Sequence, residues 1–202
     1  EAHLARGDRA AAASAFDRLD TEHPTSARSR EARARLVGLA AQRPERPPSE
    51  RASLLLERGS ALLAAGRSTE ALEALRAVPI ASLPEAEAEL ARVRLGRALL
   101  ARGRATEGRA LLQKVPGSSP HAAEAACHLA RDRARSTRTP DAYETVADRF
   151  PGTPWAEEAL LSRANHCQKD ALDEAAAPWW RRLVAEDPQG RYGERAAWRG
   201  GW

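Results

Sequence analysis

The apolar positions of this chain recur as pairs, in which a small residue is followed four positions later by a bulky one and then by a proline. The two clearest pairs and their prolines are Ala142, Val146 and Pro154, then Ala176, Trp180 and Pro188. Residues four apart lie on one face of an α-helix, where the small residue lets a neighbouring helix approach and the bulky one fills the groove. The two sets are 34 residues apart, which indicates a repeated helix-turn-helix unit.

A fixed period of 34 residues is the signature of tetratricopeptide-like repeats. One helix pair cannot bury its own apolar face, so such pairs stack on one another. The predicted fold class is therefore all-α, a tetratricopeptide-like α-solenoid of stacked antiparallel helix pairs. The 202 residues allow about six pairs.

A proline-rich segment interrupts the repeat. Pro44, Pro47 and Pro48 forbid a continuous helix. We expect partial repeats over residues 1–42, a hinge or extended crossover over 43–49, and continuous repeats over 50–202 that end in a truncated helix.

Further helix boundaries follow from glycines, prolines and capping residues. Ser26 is the predicted N-cap of a helix over 26–42, with an apolar stripe formed by Leu36, Val37, Leu39 and Ala40. Gly7, Gly66 and Gly103 are predicted breaks between helices. The other predicted helices span residues 49–65, 69–78, 84 onward, 120–135, 139 onward, 154–169, 171–186 and 192–202.

Composition narrows the class of protein. Charged residues make up 30% and aromatic residues 4%, which is typical of a soluble all-helical protein. No run of 18 apolar residues occurs, so we expect no membrane span. The chain contains no methionine and begins inside a helical pattern, so we expect it to be part of a longer protein.

The middle of the chain is basic. Between Arg92 and Arg138 there are eleven Lys and Arg against three acids, and such a stretch attracts an anionic polymer or the carboxylates of a cell-wall peptide. The alternative is that these arginines only cover solvated helix faces. The predicted anion-contacting residues, all on first helices of repeats, are Arg92, Arg94, Arg97, Arg131 and Arg135.

Side chains with catalytic or metal-binding potential are few. Cys127-His128 and His166-Cys167 lack metal-ligand spacing, because adjacent helical residues point about 100° apart. Acid pairs such as Glu157-Glu158 stand in first turns, where carboxylates favour the helix dipole. We expect no catalytic residue, no metal, no cofactor and no nucleic-acid ligand in this segment.

All five tryptophans lie in the last 48 residues. They could stack on sugars or grip a peptide, or they could pack the helices. Trp180 takes the bulky packing position of its repeat, and the adjacent Trp179 points away from it, which makes Trp179 the tryptophan predicted to be exposed for binding.

Two stretches carry a family resemblance. Residues 150–160 read FPGTPWAEEAL, and residues 191–202 contain ERAAW followed by GW. Over residues 139–202 the chain resembles the N-terminal superhelical region of soluble lytic murein transglycosylases. It resembles more loosely periplasmic repeat proteins of the Tol-Pal coordinator type and the outer-membrane assembly lipoprotein.

The resemblance implies a periplasmic parent that cleaves the glycan strand of peptidoglycan. This segment would then be a noncatalytic scaffold that holds peptidoglycan or a protein or peptide partner in the solenoid groove. The alternative function is a periplasmic adaptor that binds protein partners in envelope assembly. The catalytic glutamate-serine motif of the transglycosylases does not occur here, so no catalytic residue is carried over.

Overall fold

The computed structural model describes residues 2–169 and 173–200, and these residues form twelve α-helices. In chain order the helices are α1 Ala2–Ala5, α2 Arg9–Glu22, α3 Ala27–Val37, α4 Pro48–Ala64, α5 Ser68–Arg76, α6 Glu85–Ala101, α7 Ala105–Leu112, α8 Ala122–Thr137, α9 Ala142–Arg149, α10 Pro154–Lys169, α11 Asp173–Glu186 and α12 Gly193–Gly200. Short 3-10 turns cover Ala40–Gln42 and Ile80–Ser82. Within the described ranges there is no β-strand.

The chain divides within α7 into two compact units, which meet in sequence between Gly108 and Arg109. In the first unit, α2 packs on α3, and α4, α5 and α6 all pack on one another. In the second unit, α8, α9 and α10 pack on one another, α10 packs on α11, and α11 packs on α12. The first helices of consecutive pairs also meet, α2 with α4, α4 with α6 and α8 with α10, which is the packing of stacked helix pairs.

Helices begin and end at the prolines and glycines that the sequence predicts. Pro154 is the first residue of α10, as predicted, and Pro48 is the first residue of α4, one residue before the predicted start at 49. In a first helical turn a missing backbone N–H costs nothing. Gly66 and Gly103 follow α4 and α6 with φ of 74° and 76°, a left-handed conformation that strains any residue with a β-carbon.

Hydrogen bonds join residues that are one repeat apart. In the first unit Ser53 Oγ of α4 donates to Glu87 Oε2 of α6 at 2.6 Å, and these residues are 34 positions apart. In the second unit Tyr192 Oη donates to Glu158 Oε2 at 2.8 Å, again across 34 positions. Stacked helix pairs are therefore 34 residues apart along the chain, as the sequence predicts.

The predicted packing pairs lie in the cores of the two units. Ala71 and Leu75 are buried in the first unit, and Ala176 and Trp180 in the second, where Trp180 is only 1% exposed. Trp180 packs with Leu160, Leu183 and their neighbours from α10 and α11. The small-then-bulky pattern correctly identified these core positions.

The apolar stripe predicted for residues 36–40 is partly wrong. Helix α3 ends at Val37, and Gly38 is its C-cap, so the following residues leave the helix axis. Leu36 and Leu39 are buried, whereas Val37 is 78% exposed and Ala40 is exposed. The true buried face of α3 is Ser29, Ala32 and Leu36.

The last two predicted helices coincide with α11 and α12 over the residues that the structure describes. Residues 171–172 and 201–202 of those predictions lie outside the described ranges. The predicted division into 1–42, 43–49 and 50–202 remains a prediction. Residues 43–47 are not helical, whereas Pro48 and Ser49 belong to α4. In the described part, no helix has the length and apolarity that a membrane crossing requires.

We predict that Gly59→Ala destabilises the first unit. A β-carbon on Gly59 of α4 would lie 2.4 Å from Leu75 Cγ and 2.6 Å from Leu75 Cδ2 of α5. Overpacking a core costs about 1–3 kcal/mol, which exceeds the gain in helix propensity of about 1 kcal/mol. The free energy of unfolding should therefore fall, as measured by urea denaturation followed by circular dichroism.

Gly38→Ala is the matched control, because its β-carbon would meet nothing closer than Arg35 O at 3.7 Å. We expect no loss of stability in that variant. A Gly59→Ala protein as stable as the wild type would show that α4 and α5 are not in close contact at this point.

Candidate partner-binding groove

A groove of 740 Å³ opens in the first unit, and we call it the first-unit groove. It lies among α2, α3, the nonhelical segment after residue 42, α4 and α5. Its polar lining is Asp17, Asp20, Thr21, Arg33, Arg43, Glu45, Arg46, Arg51, Arg58 and Glu73, and its apolar lining is Ala40, Pro44, Leu54, Leu55 and Ala74. One site thus combines a charged wall with an apolar one.

Asp17 of α2 holds the nonhelical segment in place. Its carboxylate is 3% exposed and accepts hydrogen bonds from Arg43 Nη2 at 2.8 Å and from Arg46 Nη2 at 2.5 Å. Burial alone would raise the pKa of Asp17, but the hydrogen bonds and positive charges of the two arginines outweigh it and hold this pKa below its ordinary value. The segment that the sequence predicted to be a hinge or a crossover is therefore tied to α2 by two ion pairs.

Asp20 lies one helical turn further along α2, on the same face as Asp17. Its Oδ1 accepts from Ser29 Oγ at 2.8 Å and from Arg33 Nη2 at 3.3 Å. Its Oδ2 accepts from Arg58 Nη1 of α4. Asp20 therefore joins three helices through hydrogen bonds at the base of the groove.

Arg58 is the least satisfied member of this network. The residue is 7% exposed, and its Nη2 has no hydrogen-bond partner among the described residues. Leaving one buried donor unpaired costs about 1–3 kcal/mol. Arg58 therefore holds Asp20 through Nη1, while its Nη2 is buried away from solvent.

Sequence reasoning did not select these groove residues. Their signal is a pair of acids three positions apart, Asp17 and Asp20. They lie on a helix in which Ala12 and Phe16 have the same small-then-bulky spacing and pack together. Because Ala12 and Phe16 pack inward, acids one turn later on the same helix had to be buried or paired. The arginines that pair with them come from positions 13 to 38 residues away, and no local pattern reveals that.

Three of the predicted anion-contacting residues lie on α6 of the first unit. Arg92, Arg94 and Arg97 are all half-buried. Burial lowers the pKa of Arg94, and the neighbouring charge of Arg97 lowers it further. Arg94 and Arg97 share a face of α6 and Arg92 lies on another, so the three do not form one patch.

The other two predicted arginines lie on α8 of the second unit. Arg131 Nη2 donates to Glu158 Oε1 at 2.8 Å, and Glu158 is the residue that also binds Tyr192. Arg131 therefore helps to join α8 to α10. Arg135 is exposed in the last turn of α8, and a role in anion binding remains a prediction for all five arginines.

Among the tryptophans that the structure describes, Trp198 is exposed and Trp179, the one predicted to be exposed, is not. Trp179 is half-buried and packs against the core of the second unit, with the Arg163 guanidinium 4.9 Å above its ring. Trp198 of α12 is 75% exposed. The prediction was wrong because α10 packs against Trp179 as well as against Trp180.

The cysteines and histidines do not gather into a reactive centre. Cys127 and Cys167 are buried free thiols, and burial raises the pKa of Cys127 to about 11. His128 lies 3.4 Å from Glu124 and packs edge-on against the ring of Trp155. In the described ranges no three side chains of the His, Cys, Asp and Glu types come together as metal ligands would.

Part of the chain matches the model of a known family of helical repeats. Residues 25–86 match the family model described as tetratricopeptide repeat. The fold is a tetratricopeptide-like α-solenoid. The match runs from just before α3 to the start of α6, so it includes three helices that line the first-unit groove. No curated protein matches the chain.

The tetratricopeptide match indicates a general class of function. Repeats of this kind are scaffolds for protein interaction, because stacked helix pairs present extended grooves. The match over residues 25–86 therefore suggests a protein-interaction scaffold, and the first-unit groove is the candidate binding site.

We predict that Asp17→Asn lowers the stability of the first unit at pH 7 by about 1–2 kcal/mol, since it leaves Arg43 and Arg46 without their shared, buried partner. The folded-state pKa of Asp17 is lowered. Its contribution is therefore present above the ordinary aspartate pKa of about 4 and is lost as the pH falls through the lowered value.

The difference between the wild type and Asp17→Asn should therefore shrink below about pH 4, as measured by urea denaturation at several pH values. Glu22→Gln, which breaks an exposed pair with Arg18 on the same helix, should change stability by at most about 0.5 kcal/mol. A deficit for Asp17→Asn that stays constant down to pH 2 would contradict the assigned ion pairs.

Proposed function

We propose that this chain is a noncatalytic helical-repeat scaffold that holds a partner in the first-unit groove, and that it belongs to a periplasmic peptidoglycan lytic transglycosylase. The observation that carries the proposal is the groove itself, 740 Å³ in volume with a buried network of Asp17, Asp20 and Arg58 at its base. Pockets that enclose short ligands have volumes of about 300–1,000 Å³.

The network makes the groove suitable for binding because its charged wall is already in position. Arg33, Arg46 and Arg58 are each held by a buried carboxylate, so little side-chain freedom is lost when a partner binds. Preorganisation of this kind converts contacts into affinity, since the ordering cost has already been met during folding.

The lytic transglycosylase context is supported by the resemblance of residues 150–160 and 191–202 to the superhelical region of that family. The peptides of peptidoglycan carry carboxylates, for which an arginine-lined groove is complementary. Under this proposal the chain works in the periplasm and holds substrate or a partner near a catalytic domain elsewhere in the parent protein.

A second candidate is a periplasmic adaptor that binds protein segments during envelope assembly. The tetratricopeptide match over residues 25–86 favours it, because that match includes much of the groove and repeats of this type bind proteins. The apolar wall formed by Leu54, Leu55 and Ala74 also suits a protein segment.

The two candidates differ in whether the chain binds peptidoglycan. If it holds substrate for a lytic transglycosylase, it should sediment with purified peptidoglycan sacculi at low salt and be released as ionic strength rises, because exposed charges are screened. Arg51→Ala, in the groove lining, should reduce retention several-fold, and Arg28→Ala, exposed on α3 outside the groove, should not.

Absence of retention at low salt would contradict the lytic transglycosylase assignment and favour the adaptor. Retention that is equal for wild type and Arg51→Ala would show that another surface binds the sacculus.

A further inference from the structure

We infer that a second groove, on the second unit, binds a short protein segment in which acidic residues lie next to apolar ones. We call it the second-unit groove. Its exposed arginines Arg133 and Arg149 are the cations that contact the acidic residues. The inference goes beyond the proposed function, because it concerns the other unit and does not depend on whether the first-unit groove binds a partner.

The second-unit groove has a volume of 520 Å³ and follows α8, between the end of α7 and α9. All of its lining residues belong to the second unit. Along α8 it extends from Ala126 to Thr137, which is about 16 Å of helix. That length accommodates about five residues of an extended segment. The apolar lining is Ala126, Leu129, Ala130, Ala142, Val146 and Phe150.

The apolar floor of the groove is accessible to a partner. Ala126, Ala142 and Phe150 pack at the edge of a core cluster of the second unit. These three residues and Leu129 are only half-buried, so part of each remains in contact with water. An aliphatic or aromatic side chain of a bound segment would remove this surface from water, which favours binding.

The groove is positively charged, and two of its cations are not neutralised. Three arginines line it against one acid, Asp132, which leaves two net positive charges. Arg109 Nε donates to Asp132 Oδ2 at 2.5 Å, so these two groups neutralise each other. Arg133 and Arg149 are exposed, and neither forms an ion pair with a residue that the structure describes. Their charges are therefore available to a partner.

Arg149 is held in position without the help of a carboxylate. Its guanidinium lies over the ring of Phe150, 5.2 Å from the ring centroid, a favourable cation–π contact. It also lies against Gly117, since a β-carbon on Gly117 would be 2.6 Å from Arg149 Nη2. The missing side chain of Gly117 thus makes room for a guanidinium that is ordered and exposed. Little side-chain freedom is lost when such a group binds a ligand.

The arrangement favours carboxylates over phosphate groups. Arg133 lies on α8 and Arg149 on α9, so two separate cations match two separate acidic residues, and each guanidinium can bind a carboxylate through two parallel hydrogen bonds. Most of the α8 lining belongs to the C-terminal half of that helix, where the helix dipole is negative, whereas phosphate groups favour helix N-termini. A nucleic acid needs a longer row of free cations.

The test uses the 202-residue chain and two immobilised libraries of octapeptides. Both libraries vary leucine, valine and phenylalanine around two central positions, which are glutamates in the first library and glutamines in the second. Matched phosphoserine peptides and a short oligothymidylate form two further arms. Fluorescence anisotropy then gives Kd for the tightest peptides.

We expect the best glutamate peptide to bind more tightly than its phosphoserine counterpart and about tenfold more tightly than its glutamine counterpart, which lacks both charge-assisted contacts. Arg133→Gln and Arg149→Gln should each weaken the glutamate peptide about threefold, since each removes one exposed cation. Arg135→Gln, an exposed change on α8 outside the groove lining, should bind like the wild type.

Gly117→Ala tests the position of Arg149 without changing any charge. The new β-carbon would displace the end of the Arg149 side chain, so the glutamate peptide should bind about threefold more weakly while the glutamine peptide is little affected. Gly38→Ala, whose β-carbon meets nothing closer than 3.7 Å, is the matched control. Circular dichroism melting of each variant shows whether the fold is retained.

Several results would overturn the inference. They are equal binding of glutamate and glutamine peptides, no glutamate peptide with Kd below about 1 mM, preferential binding of phosphoserine peptides or oligothymidylate, and unchanged binding by folded Arg149→Gln and Gly117→Ala proteins. Loss of peptide binding in Arg51→Ala but not in Arg149→Gln would place the peptide in the first-unit groove and would also contradict the inference.

The proposed function is judged separately by the sacculus assay, which depends on Arg51. Sacculus retention that requires Arg51, together with failure of the glutamate peptides, would support the proposed function and contradict the second-unit site. Glutamate-peptide binding that requires Arg149, without sacculus retention, would support the second-unit site and contradict the lytic transglycosylase assignment.

Discussion

The burial of one helix pair by the next is the constraint on which the structure depends. An isolated pair leaves an apolar face in water, and burying such surface contributes about 25 cal/mol per Å². Each unit therefore repeats its contacts at a constant step, and the hydrogen bonds from Ser53 to Glu87 and from Tyr192 to Glu158 both span 34 positions. Small residues at the crossings, such as Gly59 against Leu75, allow the helices to approach closely enough for this burial.

The charged network of the first unit is a departure from that apolar scheme. Buried ion pairs contribute little net stability, since desolvation offsets much of the attraction between charges. Asp17 and Asp20 nevertheless remain buried, each with two arginine partners. They fix a set of guanidinium groups at the base of the groove and hold the proline-rich segment against α2.

How far the fold was predictable can be judged from particular residues. Ala71 with Leu75 and Ala176 with Trp180 were recognisable as core, because small and bulky residues four apart leave a periodic trace. Pro154, Gly66 and Gly103 were recognisable as boundaries through their backbone chemistry. Val37 and Trp179 were misjudged, since the first depends on where α3 ends and the second on how α10 lies over α11. The groove was missed because its arginines and aspartates come from four separate segments.

The amino-acid sequence by itself determined the helical class, the 34-residue step, most helix boundaries and the inward residues of each pair. All of these are local properties, governed by backbone conformation and by which side of a helix is apolar. Only the tertiary structure decided which charged residues are buried together, which tryptophan meets solvent, and that Arg43, Arg46 and Arg58 converge on α2. Such contacts join residues far apart in the chain, and a charged side chain has the same appearance in a sequence whether it ends in water or against a buried carboxylate.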